Sequence, residues 1–223
     1  MAQHNLNISR HQDLFEPHDF KHPVTIIGAG STGSWLALAL AKLGITDITV
    51  WDFDTVEEHN IPNQAFALLN INETKAHAIA EEVLRATGTR IRIKDEAYVD
   101  EKLSGIVFLM VDSMAERKRI WEGSIKMKSA VKHLIEPRLG LDVGRVYNVD
   151  PMDLTHIREY EKTYYSDEGT EVSACGTSLS VISSSFGVVS WCVRQLINFH
   201  NKVELDNEIL IDFKFNNLIT QRW

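Results

Sequence analysis

The chain has 223 residues, 44% hydrophobic and 24% charged, the balance of a folded globular domain. A net charge of −8 at neutral pH excludes a general affinity for nucleic-acid backbones, which depends on a basic surface. With only Cys175 and Cys192, neither a disulfide scaffold nor a four-cysteine zinc site can be built, so a reducing, cytoplasmic setting is expected.

The opening "MAQHNLNISRHQDLFE" has neither the basic start nor the apolar run of a secretory signal. Residues 1–22 are expected to form a helical arm on a single domain spanning 1–223, since no repeat or linker divides the chain. "VTIIGAG" (Val24 to Gly30) reads as a buried strand ending in glycines, and Thr32 to Leu43 as a helix with one apolar face. "DITVWD" (Asp47 to Asp52) is a second strand. A polar loop follows, then a helix from about Glu73 to Ala86 that stops near Gly88.

"RIRIKDEA" alternates as a half-exposed strand does, whereas "GIVFLMVD" (Gly105 to Asp112) is apolar throughout, as a central parallel strand is. Next come a helix around Met114 to Lys128, strands "VKHLIEPRL" and "RVYNVD", and a stretch from Met152 to Val172 that reads as irregular. A long helix, Thr177 to His200, and a strand "EILIDFKF" close the chain. The uncharged run from Ala174 to Val193 is broken by serines and threonines and reads as a buried helix, with no membrane span expected. Cys192 and serines 183 to 185 on that helix read as packing residues, and His18 and His22 as surface residues. This order implies an α/β fold: a Rossmann-like, doubly wound, mostly parallel sheet with a mixed, antiparallel C-terminal edge.

"GAGSTG" sets Gly28, Gly30 and Gly33 at the spacing of a dinucleotide-binding turn, between a strand and a helix. The first glycine permits the tight turn, the second lets a phosphate approach the backbone, and the third lets helix and strand pack closely. Asp52 ends the next strand, where a carboxylate can accept from ribose hydroxyls. A nucleotide site is therefore expected, but the turn does not choose among NAD, FAD and ATP. An NAD-dependent oxidoreductase would use the same turn and acid, yet leaves unexplained the loop "VEEHNIPNQ", with its amides Asn60, Asn63 and Gln64, and the lysine Lys75 beyond it. Capping of an irregular loop is the alternative use of those amides.

These stretches together resemble the ThiF/MoeB/HesA family, adenylyltransferases that activate the C-termini of ubiquitin-like and sulfur-carrier proteins, over Ser9 to about Phe199. "WDFDTVEEHNIPNQ" is similar to the family's strand-end acid, Asp-x-Val and Asn-Leu-x-Arg-Gln, with Asp52, Asp54, Val56, Asn60, Ile61 and Gln64 in place. Lys75 resembles the helix lysine that reaches the ATP phosphates, and Asp112 the aspartate of Asp-x-x-x-x-(Arg/Lys) that helps hold magnesium. "ISRHQDLF" resembles the N-terminal segment whose arginine, Arg10 here, reaches across a homodimer to the neighbour's ATP.

One residue departs from the pattern: Asn63 stands where the family keeps an arginine, removing a fixed charge and a forked donor. Arg138, after a central strand, is a candidate to offset that charge. "HNIPNQ" with "RLG…GRVYNVDP" resembles short ThiF-like proteins of bacteria and their phages.

The resemblance implies ATP and Mg2+ as cofactors, a ubiquitin-like, sulfur-carrier or peptide C-terminus as partner, and acyl-AMP formation with loss of pyrophosphate. It implies catalytic roles for Arg10, Lys75 and Asp112, nucleotide contacts from Gly28, Gly30, Gly33, Asp52, Asp54, Asn60, Asn63, Gln64 and Lys75, and magnesium on Asp112. Cys175 is the candidate for later acyl transfer, with a buried structural thiol as its alternative. A noncatalytic nucleotide-binding partner subunit is the other reading left open, motivated by Asn63.

Overall fold

The computed structural model describes residues 6–165 and 180–223. Its first half alternates β1 (Val24–Ile27), α1 (Gly33–Lys42), β2 (Ile48–Trp51), α2 (Lys75–Thr87), β3 (Arg92–Lys94), β4 (Gly105–Leu109) and α3 (Met114–Ile120). The second half holds β5 (Val131–Leu139), β6 (Val143–Val149), α4 (Leu154–Glu161), α5 (Ile182–His200), β7 (Glu208–Asp212) and β8 (Asn217–Gln221).

All eight strands form one sheet in the order β3-β2-β1-β4-β5-β6-β7-β8. The pairings from β3 through to β5 are parallel, and those from β5 to β8 antiparallel. The expected α/β class and mixed edge are both present. Because β1 connects outward to β2 and the chain later returns to β4 on its other side, the order of connection reverses between the parallel strands β1 and β4. A crevice opens at such a switch point, beyond the carboxyl ends of the strands.

The strands bury alternate residues on opposite faces, as a period of two requires. Ile26, Ile106 and Phe108 pack with Leu36, Leu40, Ile79, Val188 and Cys192 on one face. Ile27, Val107 and Leu109 pack with Trp121, Tyr147 and Tyr160 on the other. Fully burying such side chains contributes about 1.5–3 kcal/mol each, so the apolar strand "GIVFL", buried at every residue, anchors both layers. Gly88 ends α2 in the left-handed conformation (φ 74°), where its lack of a Cβ removes the steric penalty.

Three elements differ from expectation. The stretch read as irregular contains α4, started by Asp153, whose carboxylate accepts from the amides of Thr155 (2.7 Å) and His156 (3.1 Å). The helix expected to run to Lys128 leaves α geometry after Ile120 for a wider turn over Trp121–Ile125. The last strand stops at Asp212 and a hairpin adds β8, an edge strand exposed at every residue. Residues 8–15 form helical turns, with Phe15 sealed into the core beside Phe20 and His200.

Candidate nucleotide site

The glycine turn has little tolerance at two of its positions. Gly28 has φ 99°, and a Cβ there would lie 2.8 Å from the carbonyl of Met110. A Cβ on Gly33 would lie 1.9 Å from the Gly28 oxygen, so helix α1 can sit this close to β1 only without a side chain. Gly30 differs: a Cβ there meets nothing within 4 Å, and the amides of residues 30–32 have no hydrogen-bond acceptor among the described residues. Amides at the start of a helix that have no acceptor among the described residues, beside open space at Gly30, can form a cradle for an anion.

Asp52 holds this turn from the end of β2. One carboxylate oxygen accepts from the Ala29 amide at 2.6 Å and the other from the Asp54 amide at 2.8 Å. Burial raises its pKa, outweighing those two bonds and the nearby Lys75 charge, both of which favour the ionised form. Each oxygen retains a lone pair for a further donor.

Beyond Asp52 the loop is clamped to the start of α2. Lys75 donates from Nζ to Asp54 Oδ2 at 2.8 Å and from its amide to the Asp54 carbonyl at 2.8 Å, with Thr55 and Thr74 bridged beside them. The Lys75 side chain is 10% exposed and that of Asp54 is 49% exposed, so the ammonium is sheltered while its partner faces solvent.

The three amides of the loop do different things. Asn60 is buried and caps a short 3-10 turn, its Oδ1 accepting from the Glu57 amide at 2.9 Å. Asn63 donates from Nδ2 to Ser180 Oγ and accepts at Oδ1 from Ser185 Oγ at 3.0 Å. Gln64 Oε1 is buried without a partner among the described residues. An orphaned buried amide end is costly unless something arrives to pair with it.

Asp112 is exposed just past β4, two residues beyond Met110, which abuts Gly28 and donates its amide to the Ile27 carbonyl at 2.7 Å. The glycine turn, Asp52, the Asp54–Lys75 pair and Asp112 thus gather at the carboxyl ends of β1, β2 and β4. Arg10 is elsewhere. Its arm packs at the far end of α1, where His11 Nε2 meets the Leu43 carbonyl at 3.2 Å and Pro17 lies against Gly44. The ten-residue α1, about 15 Å long, separates it from the chain's own glycine turn. Cys175 lies outside the described residues.

Sequence reasoning passed over a buried ion network beside this crevice. Glu136, fully buried on β5, accepts from Arg117 Nη1 at 2.7 Å, Arg138 Nε at 2.6 Å and Tyr160 Oη. Arg117 also donates to the carbonyl of Leu109, the last residue of β4. Arg138 gives its remaining donors to the carbonyl and hydroxyl of Thr163, and its guanidinium lies 4.5 Å over the Tyr147 ring. Its charge is committed inside the fold, so it does not offset the missing arginine at 63. The signal was a lone acid in an apolar strand, which requires buried cationic partners.

The residues fit a nucleotide triphosphate: an open cradle of amides for phosphate, an acceptor for ribose, and a sheltered ammonium. Among the described residues no group of three or more His, Cys, Asp or Glu could hold a metal by itself. Magnesium needs no such cage, because it is commonly held by one or two carboxylates together with substrate phosphates. Asp112 fits that role.

Residues 17–136 match the model of the ThiF family, and the chain belongs to that family. It is 42% identical over 60 residues to the adenylyltransferase and sulfurtransferase UBA4 of Yarrowia lipolytica, covering 27% of this chain and 15% of that protein. It is 29% identical over 108 residues to the NEDD8-activating enzyme E1 catalytic subunit of Schizosaccharomyces pombe, covering 45% and 24%. Among solved structures, Escherichia coli MccB with AMPCPP and MccA superposes with a TM-score of 0.66 at 16% identity, covering 95% of this chain and 65% of that one. PaaA superposes at 0.70 with 15% identity, covering 91% and 64%. The chain thus spans less than a quarter of these two curated relatives and somewhat under two thirds of these structures, whose likeness is one of fold.

Proposed function

We propose that this chain is an ATP-dependent adenylyltransferase that activates the C-terminal carboxylate of a ubiquitin-like or sulfur-carrier protein, or of a peptide. A carboxylate oxygen attacks the α-phosphorus of ATP, the bond to the β-phosphate's bridging oxygen breaks, and pyrophosphate leaves an acyl-AMP behind. No general base is required, because the attacking carboxylate is already ionised at neutral pH. Such chemistry depends on positioning and charge compensation.

The observation that carries the reading is the convergence of an open amide cradle at Gly30, the acceptor Asp52, the sheltered Lys75 and the free-standing Asp112 at one switch point. In this reading the amides of residues 30–32 receive phosphate oxygens and Asp52 the ribose hydroxyls. Lys75 exchanges Asp54 for a phosphate, Gln64 offers its Oε1, unpaired among the described residues, to a donor of the nucleotide, and Asp112 carries magnesium. ThiF family membership and the likeness to the adenylyltransferase and sulfurtransferase UBA4 favour this chemistry over a nicotinamide-dependent oxidoreductase.

A homodimer completes the reading. Arg10 lies too far along α1 to serve its own site, so it would serve a neighbour's. Ile182, Phe186, Leu141 and Val143 expose apolar surface near the start of α5, available to a second copy. No helix among the described residues is long and apolar enough to cross a membrane.

The test is exchange of radiolabelled pyrophosphate into ATP with candidate carrier proteins and peptides. Wild type supports exchange with at least one of them and Asp112→Ala does not. ATP binding without exchange against any candidate would instead favour a noncatalytic nucleotide-binding subunit, a reading to which the uncharged Asn63 lends weight.

A further inference from the structure

A side-chain amide is neutral, yet it donates at one end and accepts at the other. At Asn63 both ends are used, one by Ser180 just before α5 and the other by Ser185 on α5. Nδ2 donates to Ser180 Oγ, and Oδ1 accepts from Ser185 Oγ at 3.0 Å. Its main chain is engaged too: the carbonyl accepts from Trp35 Nε1 at 3.0 Å, and the amide donates to the Asn60 carbonyl at 3.1 Å. Trp35 in turn meets Phe186 of α5 edge-on, with ring centroids 4.7 Å apart.

The loop reaches the cradle by a second route. Ser34 Oγ donates to the Gly30 carbonyl at 2.7 Å and accepts from the Ala65 amide at 3.0 Å. A shift of residues 63–65 is therefore felt at Gly30 on one side and at the start of α5 on the other. An arginine at position 63 has donors only and could not accept the Ser185 hydroxyl.

We propose that Asn63 is a positioning residue for ATP, a stitch that acts through Ser180 and Ser185 to hold the nucleotide loop at the working distance from Gly30. The role rests on the ATP-site reading above. Asn63 acts on the nucleotide through the loop it fixes, while Ser185, fully buried on α5, lies on the far side of the stitch.

The experiment is isothermal titration of ATP with magnesium into the full chain as wild type, Asn63→Ala, Ser185→Ala and the double variant, with melting curves recorded in parallel. Ser180→Ala, at a half-buried position, replaces Ser185→Ala if that variant does not fold. Each single variant raises Kd about three- to tenfold, the range of one lost buried hydrogen bond, and the double variant stays within about twofold of the weaker single because the two share one interaction. If Asn63→Ala weakens binding while Ser185→Ala leaves Kd at the wild-type value, Asn63 touches the nucleotide itself and the stitch is overturned. Unchanged Kd in both, with lowered melting alone, reduces it to a fold contact and equally overturns the role. Failure of wild type to bind ATP overturns the nucleotide reading, and the positioning role with it.

Discussion

Lys75 and Asp54 are joined twice, by Nζ on Oδ2 at 2.8 Å and by the Lys75 amide on the Asp54 carbonyl at 2.8 Å. The backbone bond fixes the start of α2 against the loop, while the side-chain bond parks a sheltered ammonium on a half-exposed carboxylate. A phosphate entering the crevice can take over the ammonium without moving the backbone. Lys75→Met keeps most of the stem and removes the charge. Pyrophosphate exchange should fall by at least about 100-fold, the cost of losing one preorganised stabilising group, with the melting temperature little changed. An exchange rate within a few fold of wild type would remove Lys75 from the machinery.

The glycine turn separates fold from function by position. Gly30→Ala adds a methyl into open space, so the variant should melt like wild type and yet bind ATP at least about tenfold more weakly as the methyl meets phosphate, a loss of about 1.4 kcal/mol. Gly33→Ala adds a methyl 1.9 Å from a backbone oxygen and should give little folded protein. Circular dichroism melts beside ATP titrations check both, and a destabilised Gly30→Ala would show that the cradle is not open.

Glu136 neutralises two buried arginines, so its loss strands cations away from water. Glu136→Gln should cost about 3–5 kcal/mol, the range for breaking a buried pair from one side. Tyr160→Phe, which removes one neutral donor to the same carboxylate, should cost about 1 kcal/mol. Urea unfolding measures both, and equal, small losses would mean that the network is slack.

His133 sets a direction for acid sensitivity. Burial pushes its imidazole down to about 4, against Phe199 on one face and with Asn148, Asp150 and His156 in its surroundings. Since the folded value lies below the unfolded one near 6.5, the stabilisation is complete above pH 6.5. It is lost as pH falls towards 4, where the unfolded chain takes up a proton that the native state refuses. The slope is at most about 1.4 kcal/mol per pH unit for this one proton. His133→Phe, which preserves the stack on Phe199, should reduce the loss of urea midpoint between pH 7 and 4.5. An unchanged pH profile would assign the sensitivity to other groups.

Local signals carried most of the fold. The unbroken apolar run of β4, the glycines after β1 and the left-handed stop at Gly88 each depend on a few neighbouring residues, so they could be read in order along the chain. The helix α4 was equally local, announced by Asp153, but charges and tyrosines around it masked its period. The edge strand β8 was illegible because its pairing with β7 gives it structure without burying it.

The sequence by itself determined the crevice at the switch point. Gly28, Gly33 and Asp52 follow from backbone sterics and from the short reach between adjacent strand ends, and the spacing of Asp54, Lys75 and Asp112 follows from the same chain order. Only the tertiary structure decided how the polar side chains are spent. Asn60 caps a turn, Asn63 meets Ser180 just before α5 and Ser185 on α5, 117 and 122 residues away, and Arg138 is consumed by Glu136 and Thr163. Hydrogen bonds and ion pairs extend only a few ångströms, so partners so far apart in the chain are chosen only when the sheet and α5 have packed.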